Sequence, residues 1–274
     1  MIRTELPKEP TVEALTAVWA SLRALIGELA DEDWSMPTAL PGWDVAAVVA
    51  HIIGTEAMLS GIDAPRVEID RAARPHVRND MGEFNEQWIA EMADSTPAEL
   101  RERFDRTVTA RLEALATMDE EAWNAETFTP VGRETYGRFT RIRVFDCWIH
   151  EQDIRDAVDR PGHEDGPAVE HSLEEMASAM GYVVGKLADA PAGARVKYSL
   201  TGPASRAIHV EVGERAAVVD ELSGPATVTL TMPVGTFVRL GGGRIPLERA
   251  RDEVSVEGDQ VLGDRLIENG AYTI

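Results

Sequence analysis

The stretch "RVFDCWIHEQDIRDAV", residues 143–158, decides the reading of the chain. As a helix it places positions 139, 142, 146, 149, 150 and 153 on one stripe, because steps of three and four residues return to the same face. Phe139, Ile142 and Ile149 mark that stripe as buried, yet Asp146 and His150 fall inside it, one turn apart. An ionised carboxylate buried without a partner costs several kcal/mol, so something must neutralise Asp146. Three arrangements satisfy that demand. Asp146 pairs with His150 or with an arginine such as Arg143; or the helix is rotated and both residues are wet; or a divalent metal is held by the pair together with a ligand from another helix. His51, on the otherwise apolar "GWDVAAVVAHIIG", is the candidate third ligand. Two imidazoles and one carboxylate suit a site that keeps coordination positions open.

The residues around these three have plainer readings. Cys147 points about 100° around the helix from Asp146 and is read as a buried structural thiol. Asp153 either orients an imidazole or pairs with Arg155. Glu56 is read as a solvated acid, Asp44 as a helix cap, and Trp43 and Trp148 as packing, with the lining of a pocket as the alternative.

Outward from this helix, about Glu134–Val158, the first half carries three more helical segments. Val12, Leu15, Val18, Leu22, Leu25 and Leu29 trace an amphipathic helix from Thr11, its expected cap, to about Ala30. Asp44 caps a second that runs to about Leu59 and stops at Gly61. The third covers about Asp80–Met118 with a break near Pro97. Four long helices predict a four-helix bundle over residues 1–160. "RPGHEDGP", 160–167, is a linker. Beyond it a helix, about 168–190, leads to "RVKYSLTG", "RAIHVEVG", "AAVVDEL" and "ATVTLTM", short alternating runs separated by turn residues. Short helices at "PVGTFVRLGGG" and "DQVLGDRLIENG" flank a last strand near "EVSVEG". The expected fold class is therefore α plus α+β, the second domain, 165–274, being a small α+β unit with a mostly antiparallel sheet.

With 274 residues, a formal charge of -21 and one cysteine, the chain opposes binding to nucleic acid or anionic lipid and excludes an internal disulfide framework. No apolar run reaches the roughly 18 residues of a membrane span, and the N-terminal segment lacks a signal-peptide pattern. A cytoplasmic protein acting on a small molecule is the expectation.

The two motifs "LPGWDVAAVVAHIIG", 40–54, and "RVFDCWIHEQDIRDAV" resemble those of the DinB-like metal-binding bundles, and most closely the mycothiol-dependent maleylpyruvate isomerase family of actinobacteria. The resemblance implies metal ligands at His51, Asp146 and His150, a divalent ion such as Zn²⁺, and mycothiol as co-substrate. It implies attack of the activated thiol on a small electrophile, by S-transfer or by cis-trans isomerisation. Asp146 stands where that family commonly has Glu. "GGGRIPLERARDEVSVEGDQVLGDRLIENG" resembles the sterol-carrier-like domain fused to such bundles, and the likeness makes Arg244 the candidate contact for a substrate anion, with Arg239 second. Two other functions fit the residues: a non-catalytic carrier of a hydrophobic ligand in the C-terminal domain, and a metal-dependent hydrolase using the same ligands.

Overall fold

The computed structural model describes residues 4–273. The chain divides into two compact units with the break between Gly162 and His163.

The first unit is a helical bundle. Its helices are α1 (Lys8–Glu28), α2 (Val45–Leu59), α3 (Asp80–Glu91), α4 (Pro97–Thr117), a single turn α5 (Glu120–Trp123), and α6 (Tyr136–Ala157). α1 packs on α6 and α4, and α2 packs on α4 and α6, so four long helices close into a ring; α3 lies against α2. The contact of α2 with α3 is close, since a Cβ on Gly54 would stand 2.3 Å from the Trp88 ring. α6 is buried nearly all round, charged residues included, rather than along one stripe.

Local chemistry sets the helix ends. The Asp44 carboxylate accepts the Ala47 amide at 2.8 Å, and Thr96 and Glu99 cap α4 reciprocally, which places the break before Pro97. Two boundaries differ from the sequence-based expectation. Thr11 is not a cap: α1 begins at Lys8, and the Thr11 hydroxyl donates to the Pro7 carbonyl at 2.9 Å from inside the first turn. Glu134 precedes α6 in a hairpin of β1 (Glu126–Thr129) and β2 (Gly132–Thr135), and Thr135 caps the helix.

The second unit opens with α7 (Pro167–Tyr182), continued by a wider turn over Val183–Leu187. Its strands are β3 (Arg195–Thr201), β4 (Arg206–Val212), β5 (Ala216–Val219), β6 (Val228–Pro233) and β7 (Ser255–Gly258), in the order β5-β4-β3-β6-β7. Only the β3–β6 pairing is parallel. Tyr198 on β3 faces Ile208 on β4 and Leu230 on β6 across the register, the middle row of an apolar face. α7, α8 (Val234–Gly241) and α10 (Gln260–Glu268) pack against this sheet. Between the last two lies α9 (Leu247–Glu253), a helix absent from the sequence-based expectation. Among the described residues no helix is long and apolar enough to cross a membrane.

Candidate metal centre

α2 and α6 bring His51, Asp146 and His150 together, with one donor atom from each lying within 4.8 Å of the others. His51 Nε2 stands 3.3 Å from Asp146 Oδ2, and His150 Nε2 stands 3.8 Å from Oδ1. With zinc bonds of about 2.0–2.2 Å, donors at the corners of a tetrahedron stand about 3.4 Å apart, so the 3.3 and 3.8 Å separations are on that scale and a set spanning up to 4.8 Å has to draw in slightly around such an ion. Both imidazoles are buried, whereas the Asp146 side chain is 29% exposed, so the carboxylate lies on the open side.

The two histidines are prepared differently. His150 Nδ1 lies 2.9 Å from the buried carboxylate of Asp153, to which it donates, leaving Nε2 as the nitrogen that faces Asp146. Arg155 pairs instead with Glu151. His51 Nδ1 is buried and has no hydrogen-bond partner among the described residues. Burial lowers the pKa of His51, outweighing the opposing pull of Asp146, and so keeps the imidazole neutral, the form that can ligate.

Of the three arrangements considered for Asp146, the rotated helix with both residues wet fails, because His150 is buried and only Asp146 is partly exposed. Arg143 Nη1 donates to Oδ2 at 2.5 Å, so the ion pair exists, on the same carboxylate that faces the histidines. Burial pushes the Asp146 carboxyl up, but Arg143, then His150 and His51, hold it well below the usual carboxylate range. The acid therefore stays ionised.

Behind Arg143 lies a chain of buried charges. Arg143 Nε donates to Glu56 Oε1 at 2.8 Å, Arg111 Nε donates to Glu56 Oε2 at 3.0 Å, and Arg111 Nη2 donates to the Tyr136 hydroxyl at 2.7 Å. Glu56 is thus not the solvated acid expected from sequence: it is fully buried, with both oxygens bound to arginine. The signal was there in "VAAVVAHIIGTEAML", which is apolar on every side and leaves no wet face for a glutamate. Cys147 is buried beside this chain, its sulfur 3.4 Å from Arg143 Nη2, and burial pushes its pKa up to about 12. It is an inert thiol at neutral pH.

Trp43 takes the pocket-lining alternative and not the packing role. Its half-buried ring lies with centroid distances of 5.2 Å to His51 and 6.0 Å to His150, forming a wall of the centre. Glu86 of α3 accepts from Trp43 Nε1 at 2.8 Å and from Arg74 at 2.9 Å, and pairs with His76 at 3.0 Å. Gly42, at φ +83°, gives His76 room, for a Cβ there would come 2.7 Å from the imidazole. Trp148, by contrast, is packed in the core. Arg244 stands in the second unit, half-buried in the turn between α8 and α9, with Nη1 donating to the Gly242 carbonyl. Arg239 lies on α8 in that unit.

Residues 15–155 match the family described as "Mycothiol maleylpyruvate isomerase N-terminal domain", and residues 170–265 match "MDMPI C-terminal domain". An uncharacterized protein of Mycobacterium tuberculosis, found in two strains, is 30% identical over 156 residues, or 54% of this chain and 56% of the relative. The chain spans about half the length of the curated relatives it matches. Crystal structures titled as the mycothiol-dependent maleylpyruvate isomerase and a histidine-to-alanine mutant of it share the fold, with TM-scores of 0.59 and 0.58 at 20% and 19% identity. Each likeness covers 92% of this chain and 93% of the other.

Proposed function

The chain belongs to the mycothiol maleylpyruvate isomerase family, and on that footing we propose that it is a metal-dependent enzyme joining mycothiol to an electrophilic carbon of a small molecule. The observation that carries the reading is the convergence of His51, Asp146 and His150, with Asp153 fixing the tautomer of His150. A divalent ion held by these three, zinc in the first instance, would supply the positive charge that brings a thiol's pKa into the neutral range.

The chain's own residues then do the rest. His51 offers a neutral nitrogen and Asp146 an ionised oxygen at neutral pH, and His150 turns its Nε2 toward the same point. Trp43, held by Glu86, covers one side of the imidazoles and excludes water there. The thiol releases its proton to solvent, sulfur bonds to the electrophilic carbon, and the displaced electron pair moves onto the substrate's conjugated carbonyl. If the new bond is kept and the carbon takes up a proton, the product is an S-conjugate. If rotation about the neighbouring C–C bond follows and the S–C bond breaks again, the result is cis-trans isomerisation and the thiol is returned. Arg244 is assigned, on the family likeness alone, to hold an anionic group of the substrate.

Elemental analysis of the purified protein should find about one divalent ion per chain, and His51→Ala and His150→Ala should each remove it. Electrophiles screened with and without mycothiol by mass spectrometry should react only with the thiol present. Turnover that needs no thiol would turn the reading to hydrolysis. Absence of any stoichiometric ion would remove the reading altogether.

A further inference from the structure

Arg143 touches three groups with one guanidinium: Nε on Glu56, Nη1 on Asp146 Oδ2 and Nη2 on the Cys147 sulfur. The planar fork is thereby fixed on three sides, inside the core and at the ligand carboxylate. Each oxygen of Glu56 is spoken for by a different arginine, so Glu56 cannot move toward the centre without breaking a buried pair. The two Asp146 oxygens consequently differ. Oδ2 lies between a permanent cation and His51, whose Nε2 stands 3.3 Å away, while the contact of Oδ1 with His150 is a loose 3.8 Å.

We propose that Arg143 is a positioning residue that rations the Asp146 carboxylate: by holding Oδ2 on the Glu56–Arg111 chain it makes any ion gathered by His51 and His150 share that carboxylate with a buried cation. The inference rests on the metal reading above. Its consequence would be a centre that binds its ion less tightly than the three ligands alone could, leaving more of the ion's charge to act on an incoming thiol. Arg143 opposes the ion twice, by occupying an oxygen and by placing a like charge beside it. Glu56 moderates that opposition, because its negative charge offsets Arg143 from behind.

The opposing charges give the test a sign that mere structural support does not share. Removal of a supporting residue behind a metal ligand weakens binding by roughly 10–100-fold. Arg143→Met, which keeps the volume and frees Oδ2, should instead tighten zinc, on the order of tenfold, the same scale with the opposite sign. Glu56→Gln, which keeps the shape but removes the offsetting charge, should weaken it. Zinc alone is the probe, titrated into metal-stripped full-length protein against a chelating indicator, with circular dichroism confirming the fold. Turnover with mycothiol should fall in Arg143→Met despite the tighter ion. Equal or weaker zinc binding by folded Arg143→Met overturns the proposal and leaves the metal reading standing. If that variant does not fold, Arg143→Gln decides on the same readout: tighter binding supports the proposal, and unchanged or weaker binding overturns it. Wild-type protein that takes up no zinc overturns both.

Discussion

In the helical unit, His51, Glu56, Arg111, Arg143, His150 and Asp153 are all buried, whereas in the sheet unit the buried polar side chains among the described residues are Ser172, Glu175 and Thr236. The sheet unit is filled instead by rows such as Val196, Tyr198 and Leu200 on β3 and Val228, Leu230 and Met232 on β6. Both interiors are closed to water, yet they achieve it by opposite means. Apolar packing of equal volume is often as stabilising as a buried ion pair, or more so. The charges inside the bundle are thus explained by what they hold in place, and the sheet unit shows what a core looks like without that duty.

The sharpest way to break this comparison is Glu56→Ala. It strands Arg111 and Arg143 in the core, and breaking a buried pair costs about 3–5 kcal/mol, to be read by urea unfolding. A loss under about 1 kcal/mol, the scale of a surface pair, would show that the charges are solvated and the contrast false. Leu230→Ala, in the middle row of the sheet, should cost about 2–5 kcal/mol through the cavity it leaves. The same variant should bind zinc as the wild type does; a change would mean that the apolar unit also shapes the metal centre. Asp153→Asn should weaken zinc binding about 10–100-fold, with the fold intact by circular dichroism, because His150 loses the carboxylate that holds its tautomer. The smallest effect belongs to Cys147. Its folded pKa is raised from 9.0 to about 12, so native stability is unaffected at neutral pH and falls as pH rises between those values, where only the unfolded thiol ionises. Iodoacetamide should accordingly leave the native protein unlabelled at pH 8, and rapid labelling there would contradict the burial.

Much of the fold was legible because its signals are local. The Asp44 cap, the halt at Gly61, the break at Pro97 and the strand runs from Arg195 to Pro233 each rest on residues a few positions apart. The three convergent residues were legible for a related reason: Asp146 and His150 share a helix face, and His51 interrupts an apolar helix. What was missed depends on distance or on weak pattern. Glu56 meets Arg111 across 55 positions and Arg143 across 87, and nothing near it in sequence announces either partner. Which of its two readings Trp43 would take was open for the same reason, since Glu86, 43 positions on, holds its Nε1. The hairpin strands "ETFT" and "GRET" are four residues each and too short to show alternation, and "LERARDE" buries only Ala250.

Trp43 has one more consequence. Of the six tryptophans, Trp19, Trp34, Trp88, Trp123 and Trp148 are sealed in the interior, and only Trp43 is half exposed, within 6.0 Å of both imidazole centroids. Its fluorescence is therefore separable from the rest at the red edge of the emission band, and it reports from beside the two histidines. The molecule carries its own optical gauge of whether an ion has arrived, and Trp43→Phe is the control that silences it.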